Sequence, residues 1–161
     1  MSKTTIPTGG IADDAVTAAK ATGFGKIGQV LQVTTKTETA TNSTSFVDCT
    51  NMSLNITPSA TSSKILAIAN VAGLICAAND TDAVSLRILR DSTEVSILVN
   101  VLFRTNDDEI LACVPITALD SPSSTSQLTY KIQVRNRQSN NVSMNGSGDS
   151  DTSLTLIEVL A

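Results

Sequence analysis

Carboxylates come close together at three places in this 161-residue chain, Asp80/Asp82, Asp107/Asp108/Glu109 and Asp149/Asp151. Paired acids are what glycoside hydrolysis needs, one as general acid and the other as base or nucleophile. Acid clusters also hold calcium through oxygen, but the ligand spacing of an EF-hand loop is missing here. Each group stands in a polar, loop-like stretch, where solvated carboxylates are the ordinary finding. Glycan cleavage further asks for a long groove with sugar-stacking rings, and the only aromatics are Phe24, Phe46, Phe103 and Tyr130. There is no His, which removes Ser-His-Asp and Cys-His mechanisms and His-held metals. No catalytic, cofactor-binding or metal site is expected.

Two further motifs dissolve on the same kind of test. Gly23-Phe24-Gly25-Lys26-Ile27-Gly28 fits G-x-G-x-x-G, but a dinucleotide fingerprint follows a strand and opens a helix, and here the order is reversed. A linker between a helix and the first strand is the expectation. Cys49, Cys76 and Cys113 are odd in number and not spaced as metal ligands. Cys76 and Cys113 lie inside apolar runs, so both are expected as buried thiols acting as small hydrophobes.

Charge narrows the partners. The formal net charge is -4, with acids scattered and no Lys/Arg cluster to track phosphates, so nucleic acid is not an expected partner. The longest apolar stretch, 65–78, is broken by Asn70 and falls short of the roughly 20 residues that span a bilayer. The polar start has no signal-peptide core, which leads us to expect synthesis in a cytoplasm, no membrane insertion, and sequons such as Asn42 and Asn141 left unmodified.

The elements that position these residues fall into two parts. After Pro7-Thr8-Gly9-Gly10, Asp13 or Asp14 can cap a short helix through Ala15, Val16, Ala18 and Ala19, ended by Gly23. So short a helix is marginal alone and must lean on a neighbour. From Gly28 the apolar period becomes two, and eight to ten strand-like runs follow between Ser, Thr, Asn, Asp and Gly clusters. Leu128, Tyr130, Ile132 and Val134 alternate against Thr129, Lys131, Gln133 and Arg135, as in a half-buried antiparallel strand. Val84-Leu86-Ile88 and Val95-Ile97-Val99-Val101 read as a hairpin about Arg90-Asp91-Ser92-Thr93. With few aromatics, the core must come from Val, Ile, Leu and Ala.

Some runs are apolar on both faces. Leu66 and Ile68 alternate against Ile65, Ala67, Ala69 and Val71, and the last run, 154–160, has the same character. One face fills the core, and the other needs a cover that in an all-β chain is most simply another subunit. The fold class expected is therefore all-β: an antiparallel jelly-roll sandwich of about eight to ten strands, with a short N-terminal helix on an extended arm. The stretch 137–148 reads as a long exposed loop, and Asn140, Asn141, Asn145, Asp149 and Asp151, within 137–151, are the candidate receptor-facing residues.

At this point a resemblance enters. The segment Gly10-Ile11-Ala12-Asp13-Asp14-Ala15-Val16-Thr17-Ala18-Ala19-Lys20 resembles the attachment end of short fibre and virion proteins of tailed bacteriophages. Ser63-Lys64-Ile65-Leu66, Arg87-Ile88-Leu89-Arg90-Asp91-Ser92-Thr93 and Ser153-Leu154-Thr155-Leu156-Ile157-Glu158 look like the trimeric jelly-roll tips of such proteins, whose shape is similar to C1q and tumour-necrosis-factor heads. The order of these pieces covers nearly the whole chain. It departs from those families in having no repetitive shaft and almost no core aromatics.

The resemblance implies a non-enzymatic virion structural protein, trimeric, with residues 1–27 as a particle-anchoring arm and 28–161 as the head. Ile11, Asp13, Asp14, Ala15, Val16, Ala18, Ala19 and Lys20 are then the anchoring residues, and Leu66, Ile68, Leu74, Leu156, Ile157 and Val159 the trimer interface. The expected partners are two further copies, other tail or capsid proteins, and a host cell surface. A capsid decoration protein and a receptor-binding adhesin are the alternative roles.

Overall fold

The computed structural model describes residues 26–76, 83–103, 110–138, 140–146 and 148–160. The expected helix, the anchoring residues 11–20, the Gly23–Gly25 part of the glycine motif and the acids at 80–82 and 107–109 lie outside them. Ten strands follow in order: β1 (Lys26–Thr35), β2 (Thr39–Thr41), β3 (Val47–Ile56), β4 (Lys64–Cys76), β5 (Ala83–Arg90), β6 (Thr93–Phe103), β7 (Ile110–Asp120), β8 (Leu128–Asn136), β9 (Val142–Met144) and β10 (Thr152–Leu160).

All pairings are antiparallel, and four of them are nested one inside another. β1 pairs with β10, β3 with β8, β4 with β7 and β5 with β6, and these pairs fall alternately into two sheets. The first sheet runs β1-β10-β4, with β7 on the far side of β4, and β9 and β2 extend it beyond the end of β10. The second runs β3-β8-β5-β6. Nested pairs wound alternately into facing sheets are the double Greek key of a jelly roll.

Between the sheets lies one aliphatic core. Its largest wholly buried side chains include Ile56, Ile65, Leu74, Leu86, Ile88, Ile132, Leu154 and Leu156. Tyr130, Met52 and Met144 join them, so the core is less purely Val, Ile, Leu and Ala than expected. The alternation read in β8 holds: Leu128, Tyr130, Ile132 and Val134 all point inward. The β5–β6 hairpin also holds, turning at Asp91, whose φ of 51 suits a tight turn.

Four expectations are corrected. In β6 the run Val95-Ile97-Val99-Val101 does not share one face; Val95, Leu98 and Val101 pack on the core while Ile97 and Val99 are exposed. The register slips between Val84 and Leu86, where Asn100 takes φ 55, and again between Ile88 and Leu89, so the pleat changes side twice within the strand. Gly28 is not a linker residue but part of β1, at a bulge between Ile27 and Val30. The stretch 137–148 is not one exposed loop, because β9 within it is buried and pairs with β2 and β4. Cys113 is exposed, since both faces of β7 are apolar and the pleat places it outward beside Asn70, with Sγ 3.0 Å from Asn70 Oδ1. Cys76 is buried as expected, and Cys49 with it.

Candidate interaction surface

Strand register on the first sheet builds a continuous outer face. Val30 of β1 lies opposite Ile157 of β10, Ile157 opposite Leu66 of β4, and Leu66 opposite Leu119 of β7. Four aliphatic side chains thus form one row across four strands. Val30 and Leu119 at its ends are 56% and 58% exposed, while Leu66 and Ile157 between them are half-buried. Ile27, 65% exposed, and its partner Val159 extend the apolar area toward one end of the sheet. In the other direction the rows turn polar: Gln32, Thr155, Ile68 and Thr117, then Thr34, Ser153, Asn70 and Pro115. Gln32 Nε2 donates to Thr155 Oγ1 at 2.9 Å along this polar half. Contiguous apolar surface rimmed by polar residues is the usual mark of an interaction face.

The bulge in β1 explains why the sequence hid half of this row. Gly28 and Gln29 together stand opposite Glu158, which turns Gln29 toward the interior and brings Ile27 and Val30 out on the same side. Gln29 Nε2 donates to Glu158 Oε2 at 2.8 Å and to Thr57 O at 2.8 Å. A Cβ on Gly28 would meet Glu158 Oε2 at 2.8 Å, so any larger residue here must push the carboxylate out of its hydrogen-bonded position.

Glu158 is almost wholly buried, on the inward side of β10. The Ser59 backbone N–H donates to Oε1 at 2.6 Å and the Ser59 hydroxyl at 2.7 Å, so the chain between β3 and β4 closes over the end of the sandwich. Burial alone raises a carboxyl pKa, but the donors from Gln29 and Ser59 outweigh it and hold Glu158 at about 2. This is a structural anchor that presents the aliphatic face.

The expected interface residues divide. Leu66, Ile68, Ile157 and Val159 stand on the outer face. Leu74 and Leu156 do not: both are wholly buried in the chain's own core. Strict alternation puts Leu74 with Leu66 and Ile68, but a register shift between Val71 and Leu74, with Gly73 at φ 55, reverses its side. Leu156 differs in parity from Ile157 and Val159 and so points inward. Val30, Leu119, Ile27 and Leu111 are the face residues that sequence reading missed. Leu119 was within reach, since Leu111, Cys113, Pro115, Thr117 and Leu119 alternate outward in β7.

The expected receptor residues divide in the same way. Asn141, Asp149 and Asp151 are exposed and Asn140 is half-buried, whereas Asn145 is wholly buried. Asn145 Nδ2 donates to Thr35 O at 2.9 Å and Thr37 O at 3.2 Å, and its Oδ1 accepts from the Thr152 hydroxyl at 2.8 Å. Among the described residues no three metal-ligating side chains gather, and no helix is long and apolar enough to cross a membrane.

No protein-family model matches the chain, and no curated protein matches it in sequence. Among solved structures it is similar to the VP2 subviral particle of infectious bursal disease virus, with 12% identity and a TM-score of 0.47 over 81% of this chain and 32% of that one. It is also similar to a structure of the Gx strain of the same virus, with 14% identity and a TM-score of 0.39 over 84% and 39%. The chain therefore spans well under half the length of either. Likeness of this size says nothing of function.

Proposed function

We propose that the chain is a non-enzymatic structural subunit of a virus particle, assembling through the outer face of its first sheet as a trimeric short fibre of a tailed bacteriophage. The observation that carries the assembly is the row Val30, Ile157, Leu66 and Leu119 across four strands, exposed at its two ends, half-buried between them, and on the side of the sheet turned away from the core. Covering such a row with two further copies removes apolar area from water at about 25 cal/mol per Å². The virion assignment is supported by the order of the fibre-like segments from Gly10 to Glu158. In this reading residues 1–27 tether the head to a tail or capsid protein, the chain is made in the host cytoplasm, and neither nucleic acid nor membrane is a partner.

Light scattering tests the assembly. A mass near three times 16.8 kDa is expected, and Val30→Lys with Leu119→Lys should lower it to one chain without unfolding, since both side chains already reach solvent. A monomeric native protein would remove the physical argument. Removing residues 1–25, which stops short of β1 and of Ile27 on the apolar face, should leave the head's oligomeric state intact and abolish its incorporation into particles.

A further inference from the structure

The second sheet presents a different outer face, polar and charged. Arg87 Nε donates to Gln133 Oε1 at 2.7 Å and its Nη1 to Glu94 Oε2 at 3.1 Å. Gln133 Nε2 in turn donates to Asp48 Oδ1, and Lys131 Nζ stands 2.9 Å from Asp48 Oδ2. Beside this network Arg135, opposite Ser85 in the register, lays its guanidinium 4.6 Å from the centre of the Phe46 ring, and Arg87 lies 4.2 Å from the same centre. A ring flanked by two guanidiniums holds both in place through cation–π attraction.

The two arginines differ in what remains to them. Arg87 is engaged by Gln133 and Glu94, whereas no hydrogen bond or ion pair reaches Arg135 from the described residues. Its five N–H donors form a planar fork whose natural complement is a carboxylate. Asp48 and Glu94 nearby repel a densely charged polyanion, which argues for a ligand with a single isolated charge. Lys131 and Asp48, whose side chains reach solvent while Gln133 holds Asp48 in place from below, offer donors and acceptors suited to hydroxyl groups. We propose that the Phe46–Arg135 corner of the second sheet is a binding site for a sugar bearing one carboxylate, such as a uronic acid, read by the Arg135 fork and by the polar network beside it. The proposal is independent of the trimer, because the two sheets turn opposite faces outward.

Titration calorimetry of the full-length protein with methyl β-glucuronide, methyl β-glucoside and acetate tests it. The glucuronide should bind with millimolar affinity, and the glucoside and acetate at least tenfold more weakly. Arg135→Gln should abolish the binding and Arg135→Lys, which keeps the charge without the fork, should weaken it severalfold, with thermal midpoints near the native one. Glucoside binding as tight as glucuronide binding, acetate binding as tight, or glucuronide binding unchanged in either variant would each overturn the proposal.

Discussion

Tyr130 donates its phenolic hydrogen bond to Asp120 Oδ2 at 2.6 Å, tying β8 of one sheet to the end of β7 in the other. Asp120 also accepts from Arg90 Nη1, 2.7 Å from Oδ1, at the end of β5. Three strands from both sheets thus share one carboxylate. Burial and then the charge of Asp120 raise the phenol's pKa above its ordinary value, so Tyr130 remains the donor throughout the usual pH range.

This clamp predicts an ordering of variants. Tyr130→Phe keeps the packing of a wholly buried ring and removes one charge-assisted hydrogen bond, so urea denaturation should show a loss of about 1.5–3 kcal/mol. Asp120→Ala strands Arg90 and the phenol together and should cost more, about 3–5 kcal/mol. Equal losses in the two variants would mean that Arg90 finds solvent readily and that the clamp is only the tyrosine bond.

Glu158 predicts the pH dependence. Its folded pKa of about 2 lies below the ordinary 4.5, so the unfolded chain binds the proton more readily than the folded one. The stabilisation is therefore fully present above about 4.5 and lost as pH falls from there toward 2. Its size is at most about 3 kcal/mol, from the shift in pKa. Glu158→Gln should be less stable than the native protein at neutral pH, and the gap between the two should shrink as acid is added. Denaturation midpoints from pH 6 to pH 2.5 measure it; a gap that stays constant would remove the carboxylate's charge from the account.

How much of this was legible depended on whether the backbone kept its period. In β8 nothing interrupts the alternation from Leu128 to Arg135, and every side chain falls where a count of two places it. Residues 137–148 misled because the chain there is rich in Ser and Asn, while only Val142 and Met144 mark β9. Bulges reverse the pleat once in β1, once in β4 and twice in β6, and the residues that mark them, Gly28, Gly73 and Asn100 among them, are ordinary for this composition. A bulge shifts every later side chain to the opposite face, which is why Leu74 was assigned outward and Val30 overlooked. The Phe46–Arg135 pair was beyond reach for another reason. Phe46 stands just before β3 and Arg135 on β8, and they meet only through the β3–β8 register, which no local pattern encodes.

Asn145 supplies the last prediction, because its conformation and its hydrogen bonds can be separated. Its φ of 56 lies in the left-handed region, where glycine is unstrained and Asn is tolerated better than other side chains. Its amide joins the end of β1, through Thr35 and Thr37, to Thr152 at the start of β10, and its backbone N–H reaches Ala72 O at 3.0 Å. Asn145→Gly keeps the backbone and loses the amide bonds, for about 1–3 kcal/mol. Asn145→Ala loses the same bonds and adds left-handed strain of about 1 kcal/mol or more. Asn145→Asp retains the shape but turns a carboxylate oxygen toward the Thr35 and Thr37 carbonyls, so it should be the most damaging. Thermal denaturation should rank the three as Gly, Ala, Asp in order of increasing loss. An alanine variant as stable as the glycine one would show that the backbone relaxes out of the left-handed region, and an aspartate variant as stable as the native protein would show that the amide nitrogen is not what joins β1 to β10.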